Sequence, residues 1–255
     1  MMWVRRFIIV CLIVAFMTPM AGCASSRDQA AAYKAPTEIA DPLEPVNRAM
    51  FGFNNLVDMV LFEPVAKVYR FVIPSPVRDS VQNFMRNLRT PVTFAHNVLQ
   101  GEIGDAGVSA ARFVMNSTIG IGGLFDVAAT QGLEYEREDL GQTLGKWGIG
   151  HGFYIVLPIL GPSSLRDGIG LAGDTLIDPV RYLAFHNEHE WMFYTRGGLE
   201  ALDERARAIA AIQDLRQNSH DYYAVVRSIY GQKRYGLVHD DPYAHLEYME
   251  MEEDF

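Results

Sequence analysis

The sequence predicts a mainly α protein with one short extended segment. Helix-opening chemistry recurs along the chain, at Asp41-Pro42 with Glu44, at Pro74-Ser75-Pro76 and at Asp105. Apolar residues recur at spacings of three and four, and only Phe153–Leu160 reads as extended chain, between glycines and prolines. The 255 residues, 49% of them hydrophobic, supply one domain with a sizeable core.

Asp41, Pro42 and Glu44 open a helix expected over 43–62. On its wheel Glu44, Asn47, Arg48, Asn54, Asn55 and Asp58 form a narrow polar stripe interrupted by Phe51. Leu43, Val46, Met50, Phe53, Leu56, Val57, Val60 and Leu61 cover the rest, the inverse of an ordinary surface helix. Such a helix belongs in a soluble core, in lipid with its stripe toward protein or water, or across both settings. Pro64 is expected to end it, and Arg48 and Asp58 interrupt it, so it is not expected to span a bilayer.

Pro74-Ser75-Pro76 starts a second helix with Val77, Val81, Phe84 and Leu88 on one face; Pro91 is expected to end or kink it. A short helix then runs from Val92 to Gln100, stopped by Gly101. Asp105 is expected to cap a run through Val114, Ser117–Gly123 is a glycine-rich break, and Asp126 caps a short turn. Residues 147–165 carry no charge, and their glycines and prolines exclude a continuous helix; Phe153–Leu160 reads as strand, half of a hairpin. This stretch suits a buried loop or one lining a cavity. Asp174–Phe185 is expected to be helical with a break at Pro179, Glu188–Leu215 to be one long helix with Glu200, Asp203, Glu204 and Arg207 on its charged face, and His220–Tyr235 to be the last.

The two ends read differently. Arg5 and Arg6 precede an apolar Phe7–Met17, the pattern of a signal peptide. Met20-Ala21-Gly22-Cys23 resembles a bacterial lipobox, which implies cleavage before Cys23, a thioether-linked diacylglycerol and an acylated (palmitate-type) amino group. Cys11 leaves with the signal, so Cys23 stands alone, and no disulfide or cysteine metal site is expected. Ala24 and Ser25 carry no aspartate signal for the inner membrane, so by resemblance to enterobacterial lipoproteins the address is the outer membrane. The expected organisation is signal peptide 1–22, lipidated tether 23–40, helical domain 41–238 and acidic disordered tail 239–255.

Composition excludes several functions. A net charge of −9 and a pI near 5.2 argue against a nucleic-acid partner. Gly107-Val108-Ser109-Ala110-Ala111 and Gly161-Pro162-Ser163-Ser164-Leu165 both miss the nucleophile-elbow pattern at its last position. Gly148-x-Gly150-x-Gly152 lacks dinucleotide-loop spacing, no Gly-Lys-Ser/Thr is present, and Phe193 stands where His189-Glu190 would need a second histidine. Arg166-Asp167 reads as a helix-end ion pair. No enzyme activity, cofactor or metal is expected.

Four blocks carry a family resemblance. They are Asp41-Pro42-Leu43-Glu44 with Asn47-Arg48 and Phe53-Asn54; Asn116–Gly120 with Gly122-Gly123-Leu124-x-Asp126-Val127-Ala128; Glu138-Asp139-x-Gly141–Gly145 with Trp147-Gly148-x-Gly150; and Leu157-Pro158 with Leu160–Ser164 and Arg166-Asp167. In this order they resemble the MlaA (VacJ) family of outer-membrane lipoproteins over Asp41–Tyr235, with Phe153 departing from the family's usual Gly-Pro-Tyr. The resemblance implies a ring-like bundle of amphipathic and interfacial helices, with a short β-hairpin or extended loop and a central amphipathic channel. It implies a protein embedded from the periplasmic side that removes mislocalised phospholipid from the outer leaflet and passes it to a periplasmic carrier. It also implies association with a trimeric porin. On that reading Asn47, Arg48, Asn54 and Asn55 face the pore, and Gly120, Gly122 and Gly123 allow a turn or close backbone approach. Trp147–Ser163, with Gly148, Gly150, Pro158 and Gly161, shapes the channel mouth near Arg166. The alternatives are a lipoprotein scaffold that binds porins or envelope proteins and moves no lipid, and an envelope hydrolase.

Overall fold

The computed structural model describes residues 39–240, so Cys23, the signal peptide, most of the tether and nearly all of the acidic tail lie outside the described residues. The fold is mainly helical with one two-stranded antiparallel sheet. Ile39 and Ala40 already belong to it: Ile39 packs with Tyr154, Val156 and Tyr223, and the Ala40 carbonyl accepts from Tyr154 N–H at 2.8 Å.

Helix α1 spans Glu44–Val57, with Pro45 in its first turn. It starts later than the Asp41-Pro42 signal suggests, because the Asp41 carboxylate receives Asn47 Nδ2 (2.7 Å), Arg227 Nη1 (3.0 Å) and the Tyr223 hydroxyl instead of capping the helix. Pro64 does not end this helix. The chain widens into a π turn over Asp58–Phe62, where Glu63 N–H reaches Asp58 O, and continues as α2, Glu63–Val72. Proline has no N–H for the carbonyl four residues back and crowds it, and a wide turn relieves both problems.

Pro91 is likewise absorbed: α3 runs unbroken from Ser75 to Gln100 and stops at Gly101, whose φ is 84°. It packs along α4, Ile103–Thr118, which begins before Asp105; that aspartate sits in the first turn and does not cap. A polar-stitched loop and a 3-10 turn at Ala129–Gln131 lead to α5, Leu140–Lys146. Asp139 caps α5 by accepting from Gln142 N–H at 2.8 Å.

Strands β1 (Tyr154–Leu157) and β2 (Gly161–Ser164) form a hairpin in the register Tyr154–Ser164, Ile155–Ser163, Val156–Pro162, Leu157–Gly161. Helix α6, Leu165–Ile177, follows at once, capped by Ser164, and starts well before Asp174. The packing of α6 on α5 needs glycine, since a Cβ on Gly170 would lie 2.5 Å from Gly141 N. Asp178 ends α6 and caps α7, Pro179–His186. The expected helix 188–215 is two: α8, Glu190–Arg207, and α9, Ile209–Asn218, meeting at Ala208. Helix α10, Tyr222–His239, is capped by Asp221.

Burial runs against the usual order. The inner residues of α3 are Asn87, Thr90, Thr93, His96 and Asn97 with Met85 and Val92, whereas Val77 on its expected apolar face is half exposed. Ser109, Arg112 and Asn116 are buried on α4, and Asp203, placed by its pattern on a charged outer face, is buried on α8. Among the described residues buried polar and charged side chains outnumber buried apolar ones, while Val46, Phe53, Val60, Val68 and Phe71 (92% exposed) point outward. Isolated exposed apolar residues are ordinary, but a run of them along one pair of helices marks a surface that meets something apolar. Among the described residues no helix is long and apolar enough to cross a membrane.

Candidate functional site: a cavity against the hairpin

A cavity of about 930 Å³ lies between α1, the π turn, α2, the hairpin turn and helices α8 to α10. Phe51, Asn54, Asn55 and Asp58 reach it from α1 and the π turn, Ile159–Pro162 from the hairpin, and Leu202 and Arg205 from α8. Ile212, Leu215 and Arg216 come from α9, and Tyr222, Val226 and Ile229 from α10.

Two asparagines fix the hairpin to this wall. The Asn47 carboxamide donates to Tyr154 O (3.0 Å) and accepts from Val156 N–H (2.9 Å), both buried. Two turns along, Asn54 repeats the arrangement, donating to Leu157 O and accepting from Ile159 N–H, each at 2.8 Å. A carboxamide offers one donor and one acceptor side by side, as the edge of a strand does. The Tyr154 carbonyl and the Val156 N–H lie on the edge of β1 that faces away from β2, so Asn47 supplies partners that this edge would otherwise lack. Ile159 holds φ 66°, a conformation that β-branched residues avoid, and the bond to Asn54 pins that turn.

The charges on the wall pair with one another. Arg205 grips Asp58 through two bonds of 2.6 and 2.9 Å. Arg216 bridges Asp58 (3.0 Å), Asn55 Oδ1 (2.7 Å) and Glu63 (3.1 Å). Glu63 also receives Lys67 at 2.6 Å and Gln213 at 3.0 Å, and these donors, Lys67 foremost, hold its carboxyl down to about 2. Bonds to the Asp58 carboxylate raise the Arg205 pKa.

The expected site residues therefore fall in different places. Asn54, Asn55 and Gly161 reach the cavity. Asn47 is turned into the hairpin. Arg48 lies on the surface, paired with Glu44 (2.7 Å) and Asp221 (2.6 Å) and stacked 4.4 Å above the Tyr223 ring. Gly120, Gly122 and Gly123 are in the loop after α4, away from the cavity lining. A Cβ on Gly120 would sit 2.3 Å from Phe125 O, and Gly123, at φ 95°, would bring one within 2.5 Å of Asn87 Cβ. Trp147 caps the end of α5 and donates to Leu99 O at 3.1 Å; Gly148 (φ 86°) and Gly150 carry the chain onward, and Pro158 is in the hairpin turn. Arg166 is buried, bonded to Asp167 at 3.0 Å and to Ile149 O at 3.3 Å. Asp58, Glu63, Arg205 and Arg216 were not singled out as site residues. Leu202 and Arg205, set three apart on the inner side of α8, are the signal that points to the arginine.

A second polar network joins α5, α6 and α10. Arg234 binds Asp139 (2.8 and 3.0 Å) and Asp167 (3.0 Å), Tyr230 bonds Asp167, and although burial pushes the Asp139 carboxyl up, the Arg234 guanidinium and the Gln142 N–H hold it below its ordinary range. His96 bonds Thr143 (3.0 Å) and Asp174 (2.9 Å) but is 0% exposed, so this chain of groups braces helices and meets no substrate. Burial, reinforced by Glu102 and Asp139, pushes Glu138 up to about 7 despite a bond from Gln100. The nearby His151 is held down to about 4 by burial and by Arg166.

Two tests follow from this geometry. Asn47→Leu strands two buried backbone groups and is expected to destabilise the fold by about 2–4 kcal/mol, against about 1–3 kcal/mol for the more exposed Asn54→Leu, measured by urea unfolding. Glu138 keeps its proton in the folded chain up to about pH 7 but loses it at ordinary carboxylate pH when unfolded, so its contribution to stability falls as pH rises from about 4.5 to 7. His151 acts in the opposite sense between about 4 and 6.5. Glu138→Gln is therefore expected to become less destabilised relative to wild type as pH rises through that window.

The MlaA lipoprotein family model matches residues 39–236. The intermembrane phospholipid transport system lipoprotein MlaA of Shigella flexneri is 35% identical over 221 residues, covering 85% of this chain and 83% of that protein. The lipoprotein of the same name from Haemophilus influenzae is 32% identical over 228 residues, covering 87% and 86%. A solved chain from work on the structural basis for maintenance of bacterial outer membrane lipid asymmetry superposes with a TM-score of 0.70 at 36% identity, covering 78% of this chain and 99% of that one.

Proposed function

The chain belongs to the MlaA lipoprotein family, and from that premise we propose that it works in intermembrane phospholipid transport. It takes mislocalised phospholipid from the outer leaflet of the outer membrane and passes it to a periplasmic carrier. Cys23 anchors it by lipid, it embeds from the periplasmic side, and a trimeric porin holds it in place. The observation that carries this reading is the cavity of about 930 Å³ set inside helices whose outward faces are apolar.

The physical task is a barrier problem. Two acyl chains of about 30 methylenes at about 0.8 kcal/mol each oppose release into water by roughly 25 kcal/mol. Dragging a charged headgroup through hydrocarbon costs many kcal/mol in turn. A protein seated in the membrane lowers both terms if its outer faces keep contact with lipid while its interior supplies a shaped path. Helices with apolar outer faces and polar inner faces suit that position, and none of those described needs to span the bilayer. The direction of transport comes from the outer-leaflet excess and from the carrier.

The test is complementation in a Gram-negative strain lacking its own family member, with outer-leaflet phospholipid as the readout. The wild-type chain is expected to lower surface phospholipid and Cys23→Ala, expressed to the same level, to leave it high. High surface phospholipid with the wild-type chain expressed, anchored and porin-bound would contradict transport and favour the scaffold alternative.

A further inference from the structure

The cavity wall decides which end of a phospholipid it takes, and we propose that it takes an acyl chain while the headgroup stays outside. This rests on the transport reading above.

First, among the described residues the wall offers a phosphate no free cation. The cations that line the cavity, Arg205 and Arg216, are both paired with Asp58 and Glu63, two guanidiniums against two carboxylates. Glu204, the other acid at the wall, is held by Arg137 at 3.3 Å. The two arginine nitrogens without a hydrogen bond, Arg205 Nη1 and Arg216 Nε, are themselves buried and have no open surface to offer a ligand. An anion brought here would lose water and gain no counter-ion.

Second, three of the four polar groups of the Asn54 and Asn55 carboxamides are occupied. Asn54 gives both ends of its carboxamide to Leu157 O and Ile159 N–H, and Asn55 gives its oxygen to Arg216. What remains is mainly hydrocarbon: Phe51, Leu61, Val65, Leu202, Ile212 and Ile229 present apolar surface to the space. A mostly apolar cavity at the upper end of the usual range for ligand pockets suits a chain of methylenes.

Third, the rim is apolar and open. Leu61, Val65, Ile159 and Leu160 line the cavity and are also exposed, at 52%, 45%, 61% and 67%. They continue the outward apolar surface of α1 and α2 into the interior, so a chain slides from a surrounding bilayer into the cavity without meeting water.

The experiment uses the full lipidated chain in phosphatidylethanolamine–phosphatidylglycerol nanodiscs with two traces of photoreactive phospholipid. One carries a diazirine at the end of an acyl chain, the other in the headgroup, and labelled peptides are mapped by mass spectrometry. The chain probe is expected to label the segments around Leu202, Ile212–Leu215 and Val226–Ile229, and the headgroup probe to label none of them. Ala201→Trp and, independently, Ile229→Trp fill the space and are expected to abolish that labelling with the helical circular dichroism unchanged. Val68→Trp, on the outer face, is expected to leave it intact. Labelling of these segments by the headgroup probe alone, or chain labelling that survives both cavity-filling variants, overturns the inference. Absence of any cavity labelling while complementation succeeds overturns the inference and spares the transport reading. Cavity labelling by the chain probe in a protein that fails to complement does the reverse.

Discussion

Two carboxamides on one face of α1 hold the structure's only described sheet in place. Strands of four residues in a two-stranded sheet are marginal on their own, and the outer edge of β1 carries a carbonyl and an N–H that β2 cannot reach. Asn47 and Asn54, two helical turns apart, each bind one carbonyl and one N–H of the strand and its turn. The spacing fixes the register of hairpin against helix, and the register sets where Ile159–Pro162 stand at the cavity. It also places Ser164 to start α6, so the helices that follow inherit their position from the same contact.

The second constraint is the inverted distribution of polarity. Among the described residues most buried charges have a partner, Asp58 and Glu63 with Arg205 and Arg216, Asp139 and Asp167 with Arg234, Asp126 with Arg112, whereas Glu138 has none. Breaking one such pair strands the other charge, which makes these networks costly to disturb without making them strong sources of stability. The outward faces carry the apolar residues that an ordinary core would consume. Exposed apolar faces of this extent mark a surface that meets something apolar, and the same partition leaves an interior space lined mainly by hydrocarbon.

Much of this was legible in the residues. The narrow stripe on α1 marked the inner side of that helix, and the uncharged glycine-broken stretch 147–165 marked the hairpin. What the stripe does was less legible, because a helical wheel cannot tell an asparagine facing a cavity from one bonded to a strand more than a hundred residues away. Asn47 and Asn54 therefore looked alike, and only the fold shows the first turned wholly into the hairpin. Pro64 and Pro91 misled for a related reason: a proline breaks a helix in isolation, while tertiary packing and a π turn carry the helix past it. The apolar face of α3 was legible, but Val77 stays half exposed and Val81, Phe84 and Leu88 are only partly buried, while the fully buried side is mostly polar. Arg205 and Arg216 were hidden because Asp58, their common partner, is almost 150 residues earlier in the chain.

Amide hydrogen exchange at Val156 and Ile159 tests the clamp most directly. Neither N–H is held by the partner strand; each donates to an asparagine side chain on α1. Slow exchange at both amides in the wild-type chain, with Ile159 alone becoming fast in Asn54→Ala, is what the clamp predicts. Exchange at both positions as fast as in an open loop would contradict it.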